Sequence, residues 1–140
     1  LNVFEIASEA ELAQLAEKLL PQWNVGDIVA LEGPLGAGKT TFVRACLRAC
    51  GYEGAVRSPT FNLIQTFATT PPILHSDLYR VSGATGLGLE DEFADHLTFI
   101  EWPDRMADLI PAEECWWVQI EFGQTAEARI LTVTPPISGR

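Results

Sequence analysis

The run "IVALEGPLGAGKTTFVRACLRAC" constrains this chain more than any other stretch. Ile28 to Glu32 is mostly apolar, too short for a stable helix and suited to a buried strand. A glycine-rich loop follows. Then "TTFVRACLRAC" reads as a helix, polar mainly at Arg44 and Arg48 and closed by Gly51. Gly33, four residues and Gly38-Lys39-Thr40 satisfy the G-x-x-x-x-G-K-[ST] pattern of a phosphate-binding P-loop. Strand, loop and helix in this order aim backbone N–H groups and the positive helix end at phosphate oxygens. A purely structural glycine turn is the plain alternative, and the apolar flanks on both sides argue against it.

The pattern assigns chemistry residue by residue. Gly36 and Gly38 allow backbone angles and a close approach that a Cβ would block. Lys39, one of two lysines in the chain, reaches the β- and γ-phosphates, and the Thr40 hydroxyl coordinates Mg²⁺. Asp77 and Glu101 stand at the ends of apolar strand candidates and would repel a triphosphate unless a magnesium ion lay between them. In "LTFIEW" the acid follows four mostly apolar residues, the layout that places a carboxylate opposite the P-loop hydroxyl. Glu101 is therefore expected at Mg²⁺ through water. Asp77 is expected to orient the attacking water or to hold a water of the metal shell. In "RSPTF", Pro59 keeps Ser58 out of helical angles, so the Thr60 hydroxyl could meet the γ-phosphate or the metal, although a turn into a strand explains the same residues. His75 and His96 read as structural histidines, and "LEDEFAD" as a solvated face.

The rest of the chain suggests how the loop is framed. "VFEI" is a short strand candidate; "SEAELAQLAEKLL" has helical spacing, with Ser8 and Glu11 as a capping box. "FNLIQTF" and "ILHSDLY" form a hairpin through "ATTPP"; "LTFIEW", "WWVQIEF" and "ARILTVTP" are further strands, with "GQTAE" as a turn. "SGATGLGLEDEFADH" reads as a loop with one short helix. The expected fold is α/β: a three-layer, P-loop NTPase-like arrangement whose mixed sheet is parallel in part and antiparallel at one side. The 140 residues suffice for one core, so residues 1–140 are expected to be a single domain.

Taken together, "GPLGAGKTTFVR", "SPTF", "HSDLYR" and "IEWPDR", in this order and spacing, resemble the TsaE family, formerly YjeE. The resemblance covers nearly the whole chain. It implies a small ATPase for tRNA threonylcarbamoyladenosine biosynthesis that works with TsaD and TsaB, forming the modification at position 37 of tRNAs that read codons beginning with A. By position it gives the ATP phosphates to Gly36, Ala37, Gly38, Lys39, Thr40 and Thr41, and magnesium to Thr40 and Glu101. It sets Asp77 beside the reacting phosphate and Thr60 in a switch-like loop, with Ser8 and Arg129 as candidate adenine contacts. Pro34 and Ser76 depart from residues common in the family, and neither removes a functional group used here.

Two rival readings share the P-loop. A small-molecule kinase commonly carries a basic lid, and Val81 to Leu97 contains no Arg or Lys. A GTP-driven binding switch usually carries an N-K-x-D motif, which does not occur here. ATP is therefore the expected nucleotide. The net charge of −10 disfavours autonomous tRNA binding, which needs basic residues to displace counterions. No apolar run approaches the roughly 20 residues that span a bilayer, and the amino terminus lacks a basic segment before an apolar core. A cytoplasmic location is expected. Cys46, Cys50 and Cys115 have no metal-type spacing and read as buried free thiols.

Overall fold

The computed structural model describes residues 1–57, 64–78, 90–106 and 110–138. Among these residues seven strands form one sheet: β1 (Asn2–Ile6), β2 (Ile28–Glu32), β3 (Ile64–Phe67), β4 (Ile73–Asp77), β5 (Leu97–Glu101), β6 (Trp116–Phe122) and β7 (Arg129–Thr134). Their spatial order is β1-β7-β6-β2-β5-β4-β3. The centre, β6-β2-β5-β4, is parallel. Antiparallel pairs border it on both sides, β7 with β6 and β1 on one and β3 with β4 on the other. The sequence suggested one antiparallel side. The second arises because β6, the start of the last hairpin, inserts beside β2 and carries its partners outward.

Burial on both faces explains the apolar runs at the centre. In β2, Val29 and Leu31 face a core shared with Phe42, Val43, Cys46 and Leu47 of α2 (Lys39–Ala49) and Leu12, Leu15 and Ala16 of α1 (Glu9–Leu19). Ile28 and Ala30 face the other side, against Leu78, Ile110, Cys115 and Phe93 of the short α3 (Glu90–Phe93). Trp23 joins the larger core edge-on to Phe42, Phe99 and Trp116, with ring centroids 5.7–6.2 Å apart. Phe42 and Phe99 are wholly buried, and truncating either to Ala would cost about 3–5 kcal/mol.

Local signals set the helix ends. Ser8 Oγ accepts from the Glu11 N–H at 3.3 Å, as a capping box requires, but Glu11 Oε1 accepts from the Ala7 N–H at 3.0 Å, one residue upstream of the usual return bond. At the end of α2, Gly51 takes φ +88°, and the Tyr52 N–H bonds back to the Leu47 carbonyl at 3.0 Å, closing the helix. The Pro pair turns β3 into β4, with a cis Thr70–Pro71 bond. Cys46 and Cys115 are buried, and Cys50 is half-buried; Cys46 and Cys50 are free thiols. Burial, and secondarily Cys50 itself, pushes the Cys46 thiol well above its ordinary range, and burial raises Cys50 too. Neither is poised to react. Among the described residues no helix is long and apolar enough to cross a membrane.

Candidate functional site

The phosphate loop leaves β2 at the carboxyl end of the parallel centre. Gly33 presses against β6, where a Cβ would collide with the Ile120 carbonyl oxygen. Gly36 and Gly38 take φ of +82° and +112°, a region that L side chains rarely adopt. Gly38 is the N-cap of α2, and Lys39 and Thr40 open the helix.

Lys39 is only 5% exposed. Its Nζ donates to the carbonyls of Gly33 at 2.6 Å and Pro34 at 3.2 Å, so the loop wraps around the ammonium. The ring of Trp102 covers it, 4.0 Å from Nζ to the ring centroid, a cation–π contact. Burial lowers the Lys39 pKa, and the carboxylates of Glu101 and Asp77 oppose that shift. Trp102 itself has φ +58°, a costly conformation for a bulky residue. It follows Glu101 directly, so the strained residue and the acid share one backbone turn. The ring is half-buried over the lysine.

The acids arrive from neighbouring parallel strands. Asp77 ends β4 and Glu101 ends β5, in register with each other. The Thr40 hydroxyl donates to Glu101 Oε2 at 2.7 Å. His75 Nε2 lies 2.6 Å from that same oxygen, and both the imidazole and the carboxylate are buried. The sequence reading treated His75 as structural. A signal was present: His75 precedes Asp77 by two residues, which puts both on one side of a strand.

The other end of the loop borders a cavity of about 210 Å³. Ser8, Gly36, Ala37, Gly38, Thr41 and Arg129 all line it, with apolar walls from Leu12, Ile120 and Leu131. Arg129 is committed to the backbone: Nε donates to the Ala37 carbonyl at 2.8 Å, and one terminal nitrogen to the carbonyls of Ala126 and Ala128 at 2.9 and 2.8 Å. Its guanidinium also lies over the Phe122 ring, 5.0 Å from the centroid. Ser8 is likewise engaged, as the cap of α1. Of the residues singled out from sequence, Gly36 to Thr41, Asp77 and Glu101 come together at the loop, and Ser8 and Arg129 flank its far end. Thr60 lies outside the described residues. His96 contacts the Glu92 carbonyl and carboxylate, on its own segment.

A strand, phosphate loop and helix, with a carboxylate on the next parallel strand bonded to the loop threonine, define the P-loop α/β class. The family model "Threonylcarbamoyl adenosine biosynthesis protein TsaE" matches residues 6–131. The chain is 39% identical over 109 residues to the tRNA threonylcarbamoyladenosine biosynthesis protein TsaE of Rickettsia bellii, covering 74% of this chain and 76% of that protein. It is 41% identical over 108 residues to the TsaE of Rickettsia conorii, covering 74% of this chain and 62% of that protein. Among solved structures, YdiB of Bacillus subtilus superposes with a TM-score of 0.77 at 26% identity, covering 96% of this chain and 84% of that chain. The chain belongs to the TsaE family of tRNA threonylcarbamoyladenosine biosynthesis proteins.

Proposed function

We propose that this protein is a magnesium-dependent ATPase that acts on a TsaD–TsaB pair in forming threonylcarbamoyladenosine at position 37 of tRNAs reading codons that begin with A. The observation that carries the reading is the 2.7 Å bond from the Thr40 hydroxyl to Glu101. With its proton committed to the carboxylate, Thr40 turns its lone pairs elsewhere, as a hard-cation ligand must. The oxygen donors of Thr40 and Glu101 fit magnesium, which prefers a carboxylate, phosphates and water to an all-protein cage. When bound, the ion would offset the repulsion between the triphosphate and the two acids.

The chain's own groups do the rest. Backbone N–H groups of Gly36 to Thr41 take phosphate oxygens at the helix end. Lys39 exchanges the carbonyls of Gly33 and Pro34 for the β- and γ-phosphates. Asp77, in register with Glu101, orients the attacking water, and Thr60 meets the γ-phosphate. Adenine enters the cavity flanked by Ser8 and Arg129, and ATP is preferred to GTP. The net charge of −10 leaves tRNA contact to the partners, in the cytoplasm.

Hydrolysis acts on the partner through Trp102. The ring covers Lys39 and its backbone follows Glu101, so exchanging the loop carbonyls for phosphate reshapes its contacts. We expect slow turnover alone and acceleration when both partners are present, lost in Trp102→Ala with nucleotide binding retained. ATP turnover with and without TsaD, TsaB and Mg²⁺, beside a pull-down in ATP and in ADP, tests this. No phosphate release with all components present sinks the ATPase reading, and no pull-down in either nucleotide at micromolar concentrations sinks the partner reading.

A further inference from the structure

His75 is wholly buried, yet it is not placed as an apolar residue would be. Nε2 meets Glu101 Oε2 at 2.6 Å, while Nδ1 has no partner among the described residues. A buried polar atom left unpaired costs free energy that a leucine of similar volume would not incur. The imidazole therefore supplies something a leucine lacks, and the only polar contact it makes among the described residues is to Glu101.

The hydrogen-bond directions follow from the chemistry of the acceptor. An ionised carboxylate only accepts. Oε2 already receives the Thr40 hydroxyl, so the short contact from His75 is an Nε2–H donation, and in the neutral ring Nδ1 carries the lone pair. Glu101 Oε2 is thus held by two donors from different elements, α2 and β4. Turning the carboxylate would break both bonds.

We propose that His75 is a positioning residue for Glu101: through Nε2–H it fixes the rotamer in which the carboxylate receives the Thr40 proton, and so prepares the pair to take a divalent cation. The role resembles that of outer groups that orient metal-binding carboxylates, whose loss typically weakens metal affinity or activity about 10–100-fold. It rests on the reading of Thr40 and Glu101 as a magnesium site, and the experiment separates the two.

The probe is Mn²⁺, followed by its electron paramagnetic resonance signal with ADP saturating, in the parent, His75→Leu and His75→Gln. ADP affinity without metal is measured in parallel. His75→Leu should weaken Mn²⁺ binding about tenfold or more, with metal-free ADP affinity within about twofold of the parent. His75→Gln keeps an N–H donor of similar reach and should stay within about threefold of the parent for Mn²⁺. A folded His75→Leu that binds Mn²⁺ as the parent does overturns the proposal, and so does a folded His75→Gln that loses as much as Leu. Should His75→Leu fail to fold, His75→Gln decides alone: retention supports the donor role and a tenfold loss overturns it. A parent that binds ADP but no Mn²⁺ overturns the magnesium site itself, and the positioning role with it.

Discussion

The two ends of the phosphate loop are built by different means. At the lysine end, Lys39, Thr40, Glu101 and His75 are bonded to one another or to the loop, and all but the half-buried Thr40 are nearly without solvent. At the cavity end, Ser8 and Arg129 spend their polar atoms on the backbone, one starting α1 and the other tying the Ala37 carbonyl to the β6–β7 turn. The first end is a cluster of charged and polar groups bonded to one another. The second is a frame around a cavity, whose wall Arg129 braces. A substitution at the lysine end should therefore change function with little loss of fold, and one at the cavity end should do the reverse.

The largest expected effect tests the lysine end. Lys39→Ala should lose at least about tenfold in ATP affinity, the scale of one or two charge-assisted bonds, while its thermal midpoint holds. Equal ATP affinity by calorimetry would dissolve the contrast. Burial lowers the ammonium's pKa from the ordinary 10.5. A lysine whose folded pKa lies below its unfolded one destabilises the fold at neutral pH, where both states are protonated. The penalty fades as pH rises through the lowered value and is gone above the ordinary one. Relative to Lys39→Met, the parent should therefore gain resistance to urea as pH rises toward 10.5, so any advantage of the variant should shrink. An advantage that grows with pH would contradict the sign of the shift.

Next comes Glu101→Gln, which keeps volume and removes charge. We expect nucleotide binding to persist and hydrolysis to fall roughly 10–100-fold; unchanged turnover at limiting Mg²⁺ would move the metal role to Asp77. At the cavity end, Arg129→Met should strand the Ala37 carbonyl and lower stability by about 1–3 kcal/mol. Its metal-free ADP affinity should fall less than in Lys39→Ala. A larger affinity loss, with stability intact, would make Arg129 a direct nucleotide contact and blur the comparison. The smallest effect belongs to Ser8→Ala, about 1 kcal/mol in urea denaturation for a lost N-cap, with nucleotide affinity unchanged. Ser8→Gly should recover most of that loss.

Much of this was legible in the chain because it is local. The strand Ile28–Glu32, the loop and the helix Lys39–Ala49 are contiguous, and each signal, a short apolar run, glycines at fixed offsets, helical spacing, acts over a few residues. The hairpins and the short helix at Glu90–Phe93 were legible for the same reason. The partner of His75 was not legible, because a histidine on an apolar strand looks the same whether it fills space or bonds a carboxylate 26 positions away. The cap at Ser8 was readable from its neighbours; that Ser8 lies beside the loop came only from the resemblance, as a candidate adenine contact.

By itself, then, the sequence determined the elements and the glycine-rich loop between strand and helix, since backbone conformation follows from neighbours a few positions apart. The tertiary structure decided what lies across from them. Strand order put β6 beside β2, so antiparallel pairs flank both sides of the centre. It brought Arg129 to Ala37 across 92 positions and Glu101 to Thr40 across 61. It laid Trp102 over Lys39 at a positive φ that no local preference of tryptophan would choose. Such pairings depend on which faces pack once the whole sheet is assembled, and packing energy is a property of the assembled set rather than of any one segment.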